Sequence, residues 1–571
     1  MRIMDNSAFR KVMKSLKIWG IGALLSLAAP TISAQNGILF EGEVLQQAAL
    51  SGESIARLSQ PQLFGTARSM AMANAFASLG GDVASMSINP AGLGMYRHNE
   101  LSITPLVTSS RSSNGAAGYD SNSKGRFALA NFGVVYNLYE GTGRVVSVNM
   151  GLGYNRVADL NYRTSFQYDS SSRGGKAPTI LDAMAGQLTA NRMFPDSEGF
   201  LGYYGDSYPD LWGAMMAYNS YLINPVDDPD GAYWEADRVG VNADVGHFYD
   251  LESRGSVGEY DISFGLNIDN RIYVGATIGI RSISQRIRLY YGEDFLYDGA
   301  PAVNGSGQEL IEQVDYMHYN QAADVNGVGV DFKLGVIYRP IPALRLGLAF
   351  HTPTYYSVDR TYAGQMAAMC YNNDDKKYYP SDVNTDGSWT DSGSDSYRFV
   401  SPARLMLGAS YTFGRRAILS VDYQRDWYNG IRVKQTPFWI PDEAAYARST
   451  LKRKFRATNT LRIGAEVKPL DRLALRAGFA CTSSMVRHAE LTGSAPLAER
   501  VCYYTAGVGF ALSRRVSLDA AYQYCKTENS AYRLFYAAER TGDALAYIDA
   551  SEPLSTDYAR HNVALSLGVK F

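Results

Sequence analysis

The feature that most constrains this chain is a strict alternation of connection lengths. Segments with apolar/polar alternation of period two, the signature of half-buried strands, come in pairs joined by very short turns. Tyr260–Ile268 and Arg271–Arg281 flank Asp269-Asn270, Gly327–Tyr338 and Leu344–Phe350 flank Arg339–Ala343, and Arg404–Phe413 and Ala417–Tyr428 flank Gly414-Arg415. The same holds for Phe127–Tyr139 with Arg144–Arg156, Thr460–Lys468 with Arg472–Cys481, and Tyr504–Leu512 with Val516–Lys526. Six hairpins give twelve strands; a strand near Glu100–Pro105 and the terminal run Val563–Phe571 bring the number to 14. Between the hairpins lie long connections, at roughly 109–125, 164–258, 292–324, 357–400, 429–456, 483–500 and 529–559. A soluble sandwich has no reason to place every long loop at one end. A transmembrane barrel does: it has an even strand number, short periplasmic turns and long extracellular loops.

The faces agree with that reading. Tyr260, Ile262, Phe264, Leu266 and Ile268 fall on one side of their strand. The opposite set of the strands includes Asp331, Lys333, Arg345, Asp422, Arg462, Glu466, Arg476 and Asp519. Both charge signs on one face suit a wet, internally paired lumen and would be costly in lipid. As a group they read as structural lumen residues before they read as ligands for a solute. The 41 Tyr and 54 Gly against 20 Pro suit strands with aromatic girdles at the two membrane interfaces. A formal net charge of −2 gives no long-range field for nucleic acid, so none is expected as a partner. The predicted class is all-β: a 14-stranded antiparallel transmembrane β-barrel with a small N-terminal hatch inside the lumen.

The start of the chain supplies the other two segments. Arg10, Lys11, Lys14 and Lys17 precede a short apolar run, Ile18–Ala29, and Pro30–Ala34 offers a cleavage site. Residues 1–34 therefore read as an export signal, the run being too short for a spanning helix. Residues 35–97 come before the first strand and are too few for a second barrel. Ala67–Ser78 is rich in Ala and Met, with high helix propensity, and Gly80-Gly81 is a stop signal. Asn89-Pro90 biases Asn89 to an extended conformation and fixes a turn. A lumen of this width needs a plug if it is not to leak. Residues 35–97 are expected to be that hatch, with 98–571 forming the barrel and its loops, notably 164–258 and 357–400.

The stretch Thr66–Pro105, TARSMAMANAFASLGGDVASMSINPAGLGMYRHNELSITP, resembles the N-terminal hatch of the FadL/TodX family of outer-membrane transport proteins. Asn89, Pro90 and Ala91 match that family's Asn-Pro-Ala motif. Gly329–Tyr356, Ser401–Tyr428, Thr458–Ala480 and the last strand are also similar, whereas 164–258 is not well covered. The style is closest to members from the Bacteroides group, some of which are labelled haemin receptors. The resemblance implies a Gram-negative outer-membrane protein that takes up long-chain fatty acids or other hydrophobic small molecules passively and exchanges them with outer-membrane lipid. In such a protein the loops capture the ligand, a lumen pocket holds it, the hatch moves, and an inward kink of the third strand gives a lateral exit. Here the third strand is Arg144–Arg156, and Gly151 and Gly153 on its lumen face are candidates for the kink, or simply make room for the hatch. Arg345, Arg462 and Arg476 are the candidate lumen partners of a ligand carboxylate. No cofactor is implied, and a monomer is expected.

Weaker signals remain. Thr179–Phe194 and Tyr208–Ile223 in loop 164–258 have helical spacing and suggest lid helices with an apolar groove, or plain loop packing. Asp382, Asn384 and Asp386 match the first half of an EF-hand loop, but Gly393 stands where its bidentate Glu belongs, leaving Asp391 or Asp395 as substitutes; a solvated turn is the simpler reading. Cys481 and Cys502 share facing parity on neighbouring strands, which permits a disulfide without giving its Cα separation. The six histidines show no metal spacing. There is no Walker-type phosphate loop and no G-x-S-x-G to accompany His351 or His488, so an enzyme is not expected. Besides transport, the residues leave open a non-transporting scaffold for protein secretion or surface attachment, or a haemin-binding receptor.

Overall fold

The computed structural model describes residues 52–114, 120–122, 125–199, 201, 211–226, 233–380, 393–435, 451–487, 498–541, 544–549 and 551–571. Fourteen antiparallel strands close into a barrel. They are β1 (Glu100–Asn114), β2 (Arg126–Glu140), β3 (Val145–Asp159, resumed at Tyr162–Ser170), β4 (Asp244–Ile268), β5 (Ile272–Leu296) and β6 (Glu312–Ile341). Then come β7 (Leu344–His351, resumed at Tyr355–Asn372), β8 (Gly393–Val400, resumed at Arg404–Phe413), β9 (Ala417–Asp426) and β10 (Thr458–Leu470). Last are β11 (Leu473–Ser483), β12 (Ala498–Ala511), β13 (Val516–Asn529) and β14 (Thr556–Lys570). β1 pairs with β14 from Glu100↔Lys570 to Asn114↔Thr556, so the sheet has no open edge there.

The alternation read from the sequence is the wall of this barrel. Tyr260, Ile262, Phe264, Ile278, Ile280, Val330 and Phe332 are exposed outward, while Asp331, Lys333, Asp422, Arg462 and Glu466 are buried in the lumen. The Asp269-Asn270 turn has φ of 53° at both residues, the left-handed pair a two-residue hairpin needs. Cys481 and Cys502 are opposed across β11–β12 with Cα atoms 4.2 Å apart and form a disulfide.

Two sequence expectations are corrected. The connections 164–258, 292–324 and 357–400 are partly wall: β4 and β5 are 25 residues long and β6 is 30. Only about 10 residues are needed to cross the membrane, so these strands stand far out of it. Above the membrane the outward face turns polar and the buried face apolar, as in Ile283, Ile287 and Leu289 inside and Ser284, Arg286 and Arg288 outside, so the phase that marks a lipid-facing strand is inverted and the stretch reads as loop. The second correction is in the hatch. The Ala/Met-rich run does not stay helical to Ser78; the helix α2 (Ala67–Ala71) ends, and Ala73 and Asn74 take positive φ of 51° and 53°. The chain bends because it lies against the wall. A Cβ on Gly478 would meet the Met72 carbonyl carbon at 2.5 Å, so helix propensity yields to close packing.

The hatch also holds α1 (Gly52–Leu58), α3 (Ser85–Ile88) and a 3₁₀ turn, Pro90–Met95. At the opposite end, loop 164–258 supplies α4 (Ile180–Ala190) and α5 (Trp212–Asn219). Their Met184, Leu188, Trp212, Met215 and Met216 are buried against Tyr319, Tyr362 and Met366 of the projecting strands. The lid helices exist, but the groove between them and the wall is filled.

Candidate functional site

The hatch is fastened to the wall by hydrogen bonds from wall side chains to hatch backbone. Asp422 Oδ2 accepts from Ala77 N (2.7 Å), Arg345 Nη1 donates to Leu79 O (2.7 Å), and His351 Nε2 lies 3.0 Å from Ile88 O. Thr277 and Thr505 donate to Met86 O and Ala71 O at 3.0 and 2.9 Å, and Asn149 donates to Leu93 O at 2.8 Å. The motif Asn89-Pro90-Ala91 is the centre of this seat. Asn89 is fully buried, extended (φ −142°), and caps the 3₁₀ turn by accepting from Ala91 N at 3.1 Å. Its amide nitrogen donates to Ala77 O at 2.5 Å, locking two parts of the hatch together. Pro90 and Ala91 press on the wall where Gly275 leaves no room for a side chain: a Cβ there would sit 2.2 Å from Pro90 C.

The third strand parts from β2 while it stays on β4. Its ladder to β2 runs from Glu140↔Ser147 to Asn131↔Asn155 and stops. Arg156, Val157, Ala158, Asp159 and Leu160 are then buried one after another, without the alternation of a wall strand, and the register to β4 slips between Arg156 and Ala158. This is an inward kink. Hatch residue Gln62 grips it: Gln62 N donates to Val157 O (2.8 Å), and the Gln62 side chain meets Asp159 N and Asp159 O, both at 3.1 Å. Arg156 and Asp159 close the bend with a 3.3 Å ion pair. Beyond it, β3 resumes on β4 from Tyr162↔Ser253, but among the described residues no ladder joins its other edge to the β1–β2 hairpin, and side chains reach across. Ser112 Oγ donates to Arg163 O at 2.7 Å, Ser110 Oγ to Asn161 O at 3.4 Å, and Arg126 Nη1 to Asn161 Oδ1 at 2.5 Å.

Gly151 and Gly153 lie below this break, in unbroken register with Val135 and Gly133. A Cβ on either would meet the Met86 side chain at 2.5 Å, so these glycines make room for the hatch. The bend begins three residues beyond Gly153, at Arg156–Leu160.

A cavity opens behind the seam. It encloses some 870 Å³ of atom-free space, its mouth included, between hatch residues Arg57, Gln60 and Gln62, the kink at Asp159–Leu160, and the walls of β12–β14 and β1. Ser110, Arg560, Cys525 and Tyr503 line it from one continuous rung of β1, β14, β13 and β12. Val501, Met485, Ala498, Tyr162 and Tyr558 make the rest largely apolar. Two cations border it. Arg560 donates to Gln62 Oε1 and, at 3.2 Å, to Asp159 O; Arg57 donates to Tyr162 OH at 2.8 Å.

None of the sequence-derived arginines faces this cavity. Arg476 is held between Glu466 (2.7 Å) and Asp519 (2.5 Å). Arg345 sits beneath the hatch at Leu79. Arg462 bonds Gln424 and lines a second, smaller and more polar cavity with Arg281, Arg404 and Glu259. Arg560 was within reach of the sequence, because extending the lumen parity of Ala564 and Asn562 backward arrives at it. Arg57 was not, since no wall pattern covers the hatch. The EF-hand fragment Asp382, Asn384, Asp386 lies outside the described residues, as does Asp391; Asp395 is ion-paired with Arg360 at 2.5 Å. His488 is likewise outside the described residues.

A serine, a histidine and a carboxylate do meet on β3, β4 and β5 beneath the lid: Ser170 Oγ is 3.1 Å from His247 Nε2, and His247 Nδ1 is 3.2 Å from Glu293. Glu293 also accepts from Thr179 Oγ1, from Ile180 N (2.8 Å) and from Tyr291 OH (2.8 Å), capping α4. All three are buried, with Tyr168 stacked on the imidazole. The trio is a strut that ties the lid to the wall.

Residues 263–567 match the model of the family described as outer membrane protein transport protein (OMPP1/FadL/TodX). The fold is shared with a crystal structure of a Pseudomonas aeruginosa FadL homologue, at 13% identity and a TM-score of 0.51, covering 90% of this chain and 100% of that one. The Pseudomonas putida toluene transporter TodX aligns at 13% identity and a TM-score of 0.46, over 90% of this chain and 99% of its own. No curated protein matches the chain. By the family match over more than half its length, the chain belongs to the OMPP1/FadL/TodX family of outer-membrane transport proteins.

Proposed function

We propose that this transporter of hydrophobic compounds takes up long-chain fatty acids or similar amphiphiles, holding them in the cavity behind the third-strand kink and releasing them sideways into the bilayer. The observation that carries this is the coincidence of three things at one place: the unladdered seam, a largely apolar cavity, and two arginines at its border. Each buried methylene contributes about 0.8 kcal/mol, so an alkyl tail gains from leaving water for this cavity and gains again from lipid beyond it. An exit along the barrel axis would break the hatch-to-wall hydrogen bonds, at ~0.5–1.5 kcal/mol net apiece. The seam has no strand ladder among the described residues and is bridged by side chains such as Ser110, Ser112 and Arg126. Arg560 and Arg57 would take the carboxylate. The proposal includes removal of residues 1–34 on export, residues 35–97 as the moving hatch, and action as a monomer.

The test is uptake by cells lacking this protein, complemented with wild type, with residues 89–91 deleted, or with Arg560→Ala, all present equally in the outer membrane. Labelled oleate and a neutral alcohol of equal chain length are the probes. The wild type should restore both, the deletion neither, and Arg560→Ala chiefly the alcohol. No restoration of oleate uptake by wild type would overturn the fatty-acid reading. The scaffold reading draws on the closely fastened hatch, and it predicts no uptake from any form.

A further inference from the structure

We infer that the outer surface of β3–β6 above the membrane binds the phosphorylated sugar headgroup of an outer-leaflet glycolipid. The inference rests on the layering of outward residues. On β5 the last large apolar residues of the belt are Ile278 and Ile280; Ser282 and Ser284 follow, then Arg286 and Arg288, then Tyr290. Neighbouring strands repeat the order in register, so the layers run around the wall. One rung is Arg163↔Glu252↔Arg288 and another is Arg254↔Arg286↔Asp324.

These rungs carry more cation than they need for each other. Arg254 and Arg286 stand directly opposite, an arrangement that is destabilising on its own. Asp324 serves two arginines, Arg286 at 3.0 Å and Arg288 at 3.6 Å. Glu252 also serves two, Arg254 at 2.7 Å and Arg126 at 3.4 Å. The side chains of Arg254 and Arg286 are 57% and 62% exposed, and each is held by a surface ion pair of the kind worth ~0–1 kcal/mol, which a phosphate can displace or join. A phosphate placed between them would relieve their repulsion and accept the forked bonds that guanidinium favours.

Height decides which anion. Six residues separate Ile280 from Arg286, about 20 Å along a strand; with the tilt of a barrel strand, ~40°, that is roughly 15 Å above the apolar belt. The headgroup layer of a phospholipid bilayer adds only about 5–8 Å beyond the hydrocarbon on each side. The arginines stand too high for phospholipid phosphates and at the right level for phosphates carried on an oligosaccharide. Above them Tyr290, Tyr316 and His318 cluster, with the Tyr316 and His318 rings stacked at 4.9 Å and Tyr290 5.3 Å from His318. Aromatic faces of this kind pack against the C–H faces of sugars.

The experiment uses the full-length protein in lipid nanodiscs, with binding read by native mass spectrometry. The probes are a phosphorylated lipooligosaccharide, the same molecule after phosphatase treatment, phosphatidylglycerol and inorganic phosphate. The wild type should bind the phosphorylated glycolipid at least about tenfold more tightly than the other three. Arg254→Gln with Arg286→Gln should lose most of that margin, and Asp324→Asn should keep or widen it. Shifted mobility of unheated protein on gels checks that each barrel is folded, and the single change Arg286→Gln replaces the double variant if that check fails. Equal binding of the phosphatase-treated form, equal binding of phosphatidylglycerol, full competition by inorganic phosphate, or an undiminished double variant would each overturn the assignment.

Discussion

At the residue scale, the side chains that matter most are those joining separate parts of the molecule. Asn89 is one: it pairs a hatch turn with Ala77 O inside a dry seat. Asn89→Ala would leave a buried carbonyl and a buried amide unpartnered, at about 1–3 kcal/mol each. The hatch should then show faster amide exchange while the barrel keeps its gel mobility; unchanged exchange at Ala77 and Ala91 would refute this role. Cys525 offers a direct readout of the cavity, because it lines the rung that also carries Arg560. In a Cys370→Ser background it should react with a small methanethiosulfonate, and bound oleate should slow that reaction severalfold. No protection at saturating oleate would place the ligand elsewhere.

At the element scale, the third strand and the lid behave differently. Gln62 supplies the kink with hydrogen bonds a neighbouring strand would otherwise give. Gln62→Leu keeps the size and the backbone bond to Val157 O but removes the side-chain bonds, leaving Asp159 N unpartnered at a cost of about 1–3 kcal/mol while Asp159 O keeps Arg560. Uptake should fall with little change in barrel melting; uptake at the wild-type rate would mean the hatch does not hold the kink. The lid is anchored by Glu293 at the start of α4. Glu293→Gln weakens acceptance from Ile180 N and Thr179 while keeping the shape, so protease should cut loop 164–258 sooner, measured as the time course of its cleavage. The length of β4–β6 shows why loop boundaries were misread: outward residues there face water and are polar, so the alternation inverts its phase while the ladders continue.

At the scale of the whole molecule, the barrel and its hatch have unequal claims on the sequence. Within the membrane belt wall residues report their side by parity, so Tyr260 and Ile262 announce lipid, and Asp331 and Lys333 announce lumen, with no knowledge of the fold. Hairpin turns such as Asp269-Asn270 set the registers locally. The strand number, its closure and the outer-membrane setting therefore lay in the sequence alone, as did the Asn89 turn. The cavity did not. Its rung draws one residue from each of four strands, Arg57 arrives from a hatch segment with no wall pattern, and the bend at Arg156–Leu160 exists because Gln62 lies against it. Period-two alternation is a property of neighbours along the chain and survives in one dimension. The site depends on contacts between residues about a hundred to five hundred positions apart, such as Gln62 with Asp159 and Arg560, and only the closed barrel brings those together.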